Sequence, residues 1–112
     1  MLIVKKVYEI AAMMPVNEKF GLTSQICRAA VSIPSNISEG CSRTSESDFK
    51  RYLEIALGSA FELETQLIII KDLNLVPEYS FLELFDLINK EQKSINSLIS
   101  KVKEKSTHII NG

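Results

Sequence analysis

Apolar residues recur along this chain at spacings of three and four, the period of a helix face, in four separate blocks. The first covers about residues 2–14, where Val4, Val7, Tyr8 and Ala11 form one stripe. Pro15 ends it, because proline cannot extend a helix. The second covers about residues 22–40, with Ile26, Ala30, Ile33 and Ile37 in phase. Pro34 lies inside it, removing one backbone hydrogen bond and crowding the carbonyl of Ala30. The stripe keeps its phase across Pro34, so the pattern predicts a kinked helix rather than a broken one. Gly40 supplies a left-handed stop. The third block, residues 45–73, opens with Ser45 and Asp48 at N-cap and N3 spacing. Its stripe is Phe49, Leu53, Ala56, Ala60, Leu63, Leu67 and Ile70. The fourth opens with Ser80 and Glu83 as a capping box, carries Phe85, Ile88, Gln92, Ile95, Ile99 and Val102, and frays after Lys105.

No alternation of strand type runs for more than a few residues. Short connections place successive helices antiparallel. The expected fold is therefore all-α: one domain, residues 1–112, forming an antiparallel up-down-up-down four-helix bundle with a kinked second helix. If helices 2 and 3 fold back around residues 41–44, facing residue numbers sum to about 85. That sets Ala29 and Ala30 against Ala56 and Ile26 against Ala60, with tight contact near Ala29, Ala56, Gly58 and Ser59.

The third helix would be about 43 Å long and the first only about 20 Å, at 1.5 Å per residue. The third is also apolar beyond its main stripe, at Ile55, Leu57, Phe61, Ile68 and Ile69. A single short bundle leaves part of that surface wet, and self-association is the simplest use for it.

Composition narrows the function. The 112 residues are 46% hydrophobic and 24% charged, with a net charge of −1. That balance exerts no global pull toward nucleic acid. No apolar run approaches the roughly 18 residues of a membrane span. The opening MLIVKKVYEIAAMM sets its lysines inside the apolar stretch, unlike a secretory signal, so a cytoplasmic protein with reduced Cys27 and Cys41 is expected. Two cysteines and the single His108, read as a tail residue, do not make a Cys/His zinc site. The many serines have no neighbouring base and no G-x-S-x-G or S-x-x-K setting; Gly21, Gly40 and Gly58 are too isolated for a phosphate loop. No enzyme activity, cofactor or small-molecule substrate is expected.

Several polar residues need partners. Glu64 is flanked at helical spacing by Ala60, Phe61, Leu67 and Ile68, so an ion pair with Arg28 or Lys90 is expected. Glu39, near the end of helix 2, is placed to reach the free amides at the start of helix 3. Ser32, Asn36 and Glu39 form a row that fastens the helix 2–3 corner or joins subunits. Arg43, Lys50 and Arg51, extended by Arg28, cluster at that corner, and Lys101, Lys103 and Lys105 gather near the chain end. These are the candidate nucleic-acid contacts. Against them, residues 45–79 hold seven acids and three bases.

The stretch at residues 21–67, above all SIPSNISEG at 32–40, resembles the bacterial four-helix-bundle proteins encoded in intervening sequences of 23S rRNA genes, the S23-like family. The accessory variability determinant proteins of diversity-generating retroelements are similar to the same fold. The resemblance covers residues 7–70 best. It implies a homopentamer, a ring of bundles around a channel, and makes RNA or ribonucleoprotein contact plausible. The reading is a non-enzymatic pentameric interaction module for a protein or ribonucleoprotein partner; the alternative is an RNA-binding accessory protein using repeated basic patches.

Overall fold

The computed structural model describes the backbone of residues 1–111 and the side chains of residues 1–102. The side chains of Lys103, Lys105 and His108 lie outside the described residues. Four helices follow in order: α1 (Leu2–Met13), α2 (Leu22–Cys41), α3 (Glu46–Asp72) and α4 (Leu84–Asn111). Short 3₁₀ turns, Val16–Glu18 and Glu78–Phe81, occupy the α1–α2 and α3–α4 connections. The described residues contain no strand. Each helix packs on its neighbour in sequence and α4 closes on α1, with the most extensive interface between α2 and α3. The all-α four-helix bundle is the fold the spacing predicts.

The core stripes of α2, α3 and α4 fall as expected, with Ile26, Ala30, Ile33, Leu53, Ala56, Ala60, Leu63, Ile88 and Ile95 buried. Phe49 and Phe85, expected in the core, are half-buried at its edge. In α1 the buried face is Ile3, Val7 and Ile10, followed by Met14, and Tyr8 is exposed. The sequence LIVKKVYEIAAM carries two overlapping apolar stripes, and packing selects the one without Tyr8.

Pro34 lies inside α2, which continues unbroken to Cys41. Gly40 is not a left-handed stop: no glycine among the described residues has positive φ. Gly40 is buried, and a Cβ there would sit 2.9 Å from Tyr52 Cβ and 3.1 Å from Phe49 Cδ1. Its missing side chain admits α3, not a turn. Ser42 ends the helix instead, its hydroxyl donating to the Glu39 carbonyl at 2.6 Å.

The α2–α3 register also differs from expectation. Ser32 meets Ser59, with hydroxyl oxygens 2.8 Å apart. The expected pairing puts Ser32 opposite Leu53, six positions earlier. The close approach of the two helices lies at Gly40, against Phe49 and Tyr52, nearer the corner than expected. Ala29, Ala56 and Ser59 do lie in or beside the contact. Gly58 does not: it is exposed, and a Cβ there would have no neighbouring atom within 4 Å.

Ser45 caps α3 as predicted, accepting from the Asp48 amide at 3.1 Å. At its far end Asn74 is left-handed (φ 54), the Asn74 amide bonds the Lys71 carbonyl and the Leu75 amide bonds the Ile70 carbonyl. These two bonds make a Schellman end with asparagine in glycine's usual place. α4 begins at Leu84, not Ser80. Ser80 lies in the 3₁₀ turn, where Phe81 is buried and stacks on Phe85 with centroids 5.6 Å apart. Leu82 is then extended and Glu83 left-handed (φ 68), so the capping box does not form. α4 runs from Leu84 to Asn111.

Candidate functional site

The α2–α3 corner gathers most of the polar residues singled out by sequence. Asn36 Nδ2 donates to both the Ser32 carbonyl and the Ser32 hydroxyl, each at 2.8 Å. With the Ser32–Ser59 bond this pins α2 to α3 inside one subunit. Glu39 does not join the row, nor reach the α3 amides. It pairs instead with Arg43, which follows the Ser42 cap and is turned back over the end of α2 by its amide bond to the Gly40 carbonyl.

Arg43 and Arg51 both lie over the ring of Tyr52, at 5.1 and 5.0 Å from its centroid. Arg43 also donates to the Tyr52 hydroxyl at 3.3 Å. Tyr52 was legible only as the aromatic next to Arg51; its role depends on the corner geometry. Lys50 pairs with Glu54 at 3.6 Å. Arg43 and Arg51 thus meet at Tyr52, while Arg43 and Lys50 each face a carboxylate of their own chain. Arg28 is exposed on α2, away from this cluster, with no ion pair among the described residues. Lys101 is exposed on α4.

Glu64 is half-buried but pairs with neither Arg28 nor Lys90. Its Oε1 accepts from Gln92 Nε2 at 3.2 Å across the α3–α4 interface. Gln92 reads as a polar break in the α4 stripe and is buried for this contact. Beside it, Leu57, Phe61, Lys93 and Asn96 flank a cleft of about 260 Å³. Ile55, Phe61, Ile68 and Ile69 of α3 are all exposed. Cys41 is exposed at the corner, whereas burial raises the Cys27 thiol above its ordinary 9.0.

The opposite end carries a surface that sequence reasoning did not anticipate. Among the described residues, the five most exposed large apolar side chains are Phe20 (91%), Val16 (88%), Leu82 (69%), Tyr79 (67%) and Leu73 (59%). All five lie in the α1–α2 and α3–α4 connections, which topology places at one end. Between α1 and the second connection lies a cleft of about 310 Å³, lined by Ile10, Met13, Tyr79 and Leu82 and by the carboxylates of Glu9 and Glu83. Lys6 approaches Glu83 at 3.8 Å. The available signal was apolar residues between the breakers Pro15 and Gly21 and just after Pro77.

Among the described residues, no three His, Cys, Asp or Glu side chains gather to hold a metal ion, and no helix is long and apolar enough to cross a membrane. No curated protein matches the chain. A crystal structure of a protein of unknown function from the S23 ribosomal protein family of Bacteroides thetaiotaomicron VPI-5482 is similar to it. The two are 29% identical, with a TM-score of 0.60, over 89% of this chain and 96% of that one. The family model for the 23S rRNA-intervening sequence protein matches residues 1–97. With its four-helix bundle and that match over most of its length, the chain belongs to the 23S rRNA-intervening sequence protein family.

Proposed function

We propose that this protein is a non-enzymatic interaction module of the cytoplasm, a homo-oligomer of helical bundles that binds a protein or ribonucleoprotein partner. The exposed apolar surface of α3 carries the reading. Phe61 and Ile68 lie on the edge of α3 toward α4, where Phe61 borders the cleft beside Gln92. Ile55 lies one turn from Ser59, on the edge toward α2, and Ile69 continues that edge. Two unlike apolar edges suit a head-to-tail contact, which closes into a ring when the rotation allows. The number five comes from the family resemblance alone.

Light scattering tests this directly. The wild type is expected at a multiple of 12.6 kDa, five-fold for the pentamer, and Phe61→Ser with Ile68→Ser to shift it toward one chain. A wild-type monomer at high micromolar concentration overturns the reading; a dimer removes only the number.

The second reading, RNA contact, is supported by the two arginines flanking Tyr52, since guanidinium and aromatic planes both stack on unpaired bases. The pairing of Arg43 and Lys50 with Glu39 and Glu54 weighs against it, because phosphate would have to displace those carboxylates.

A further inference from the structure

We infer that the end of the bundle formed by the α1–α2 and α3–α4 connections is a docking surface for a basic, amphipathic segment of another protein. The inference deepens the interaction-module reading by naming a surface and a partner chemistry; it does not depend on the oligomer number.

Three observations converge there. The most exposed apolar side chains of the described residues, Phe20, Val16 and Leu82 among them, project at this end, while the α2–α3 corner at the other end is polar. Isolated exposed apolar residues need no explanation, but the gathering of the five most exposed ones at one end marks a contact surface. The cleft between α1 and the second connection gives this surface relief, with Ile10, Met13, Tyr79 and Leu82 among polar lining residues. Its volume of about 310 Å³ accommodates a large side chain.

Charge then selects the occupant. The connections, residues 14–21 and 73–83, contain Glu18, Glu78 and Glu83 against the single Lys19. Glu9 adds a further carboxylate at the cleft, where Lys6 offsets only part of the charge. Such a rim repels nucleic-acid phosphates and anionic lipid headgroups, and attracts lysine and arginine. Apolar tips with an acidic rim therefore complement a helix bearing leucine-like residues on one face and cations beside them. Glu83, immediately after the exposed Leu82, lines the same cleft with its carboxylate beside Lys6.

The test uses the full chain and two fluorescent helical peptides of about 18 residues, long enough to form several turns on binding. One has a leucine/lysine pattern, the other leucine/glutamate. Fluorescence anisotropy is expected to show the lysine peptide binding at least about tenfold more tightly, with affinity falling as salt rises. Phe20→Ser with Leu82→Ser is expected to weaken it by about tenfold or more, as loss of anchor residues does. Glu9→Gln with Glu83→Gln is expected to flatten the salt dependence. Phe61→Ser with Ile68→Ser on α3 should leave peptide binding intact, even where it changes oligomeric mass. All substituted end positions are exposed, and circular dichroism verifies that each variant keeps its helices. Equal binding of the two peptides, no binding of either, insensitivity to the Phe20 and Leu82 changes, or preferential binding to phosphatidylcholine vesicles overturns the inference. Light scattering on the same samples reports separately on the oligomer.

Discussion

Gly40 and Gly58 lack a side chain for opposite reasons. At Gly40 a Cβ would press on Tyr52 and Phe49, so Gly40→Ala is expected to destabilise by about 1–3 kcal/mol, as overpacking does. At Gly58 a Cβ meets open space, so Gly58→Ala is expected to stabilise by about 0.5–1 kcal/mol through helix propensity. Urea midpoints of the two variants should move in opposite directions; movement in the same direction refutes the contrast. Leu53, fully buried, should cost about 2–5 kcal/mol on change to alanine. The cysteines differ in another way. Burial raises the Cys27 thiol, leaving less thiolate at a given pH, while Cys41 is exposed. Mass spectrometry after brief alkylation at pH 8 is expected to find Cys41 modified first. Most buried aliphatic positions in α2–α4 were legible from their spacing. The role of Gly40 was not, because glycine at a helix end and glycine under a crossing helix look alike in sequence. The partner of Glu64 was equally hidden: its burial could be read locally, but Gln92 is 28 residues away.

Helix ends record how far local signals reach. Ser45 and Asp48 announce the start of α3 correctly because nothing in the tertiary structure opposes that cap. Ser80 and Glu83 carry an equally good local signal and it fails. Burial of Phe81 and Leu84 fixes both sides of the junction, and the chain between them turns through a left-handed Glu83. Left-handed conformations cost about 1–2 kcal/mol for residues with a Cβ. Glu83→Gly should therefore raise the thermal midpoint, since the exposed contact with Lys6 contributes little in return. A lowered midpoint would show that the Lys6 contact outweighs the backbone term. In α1, periodicity established a helix but not its phase, because Val4, Tyr8 and Ala11 compete with Ile3, Val7 and Ile10 for the same interior. Only the neighbouring helices distinguish them.

As a whole the molecule is drawn out, measuring 56 × 23 × 19 Å, with a radius of gyration of 16.1 Å. A compact chain of this length would have about 13 Å. Its two ends differ in character, cationic side chains around Tyr52 at one and apolar tips with carboxylates at the other. If RNA is a ligand, it should engage the first. Replacing Arg43, Lys50 and Arg51 with glutamate should abolish a salt-sensitive gel shift while leaving oligomeric mass unchanged. Unaltered binding by that variant, or no wild-type shift at low salt, removes the RNA reading. The dominance of the α2–α3 interface also has a kinetic consequence. Those helices are separated by only a few residues, so joining them costs little loop-closure entropy, whereas bringing α1 to α4 closes most of the chain. A hairpin of α2 and α3 should form first, with α1 docking last. Stopped-flow refolding should then show Ala56→Gly slowing folding and Val7→Ala chiefly accelerating unfolding. The reverse partition would place the nucleus at the chain ends.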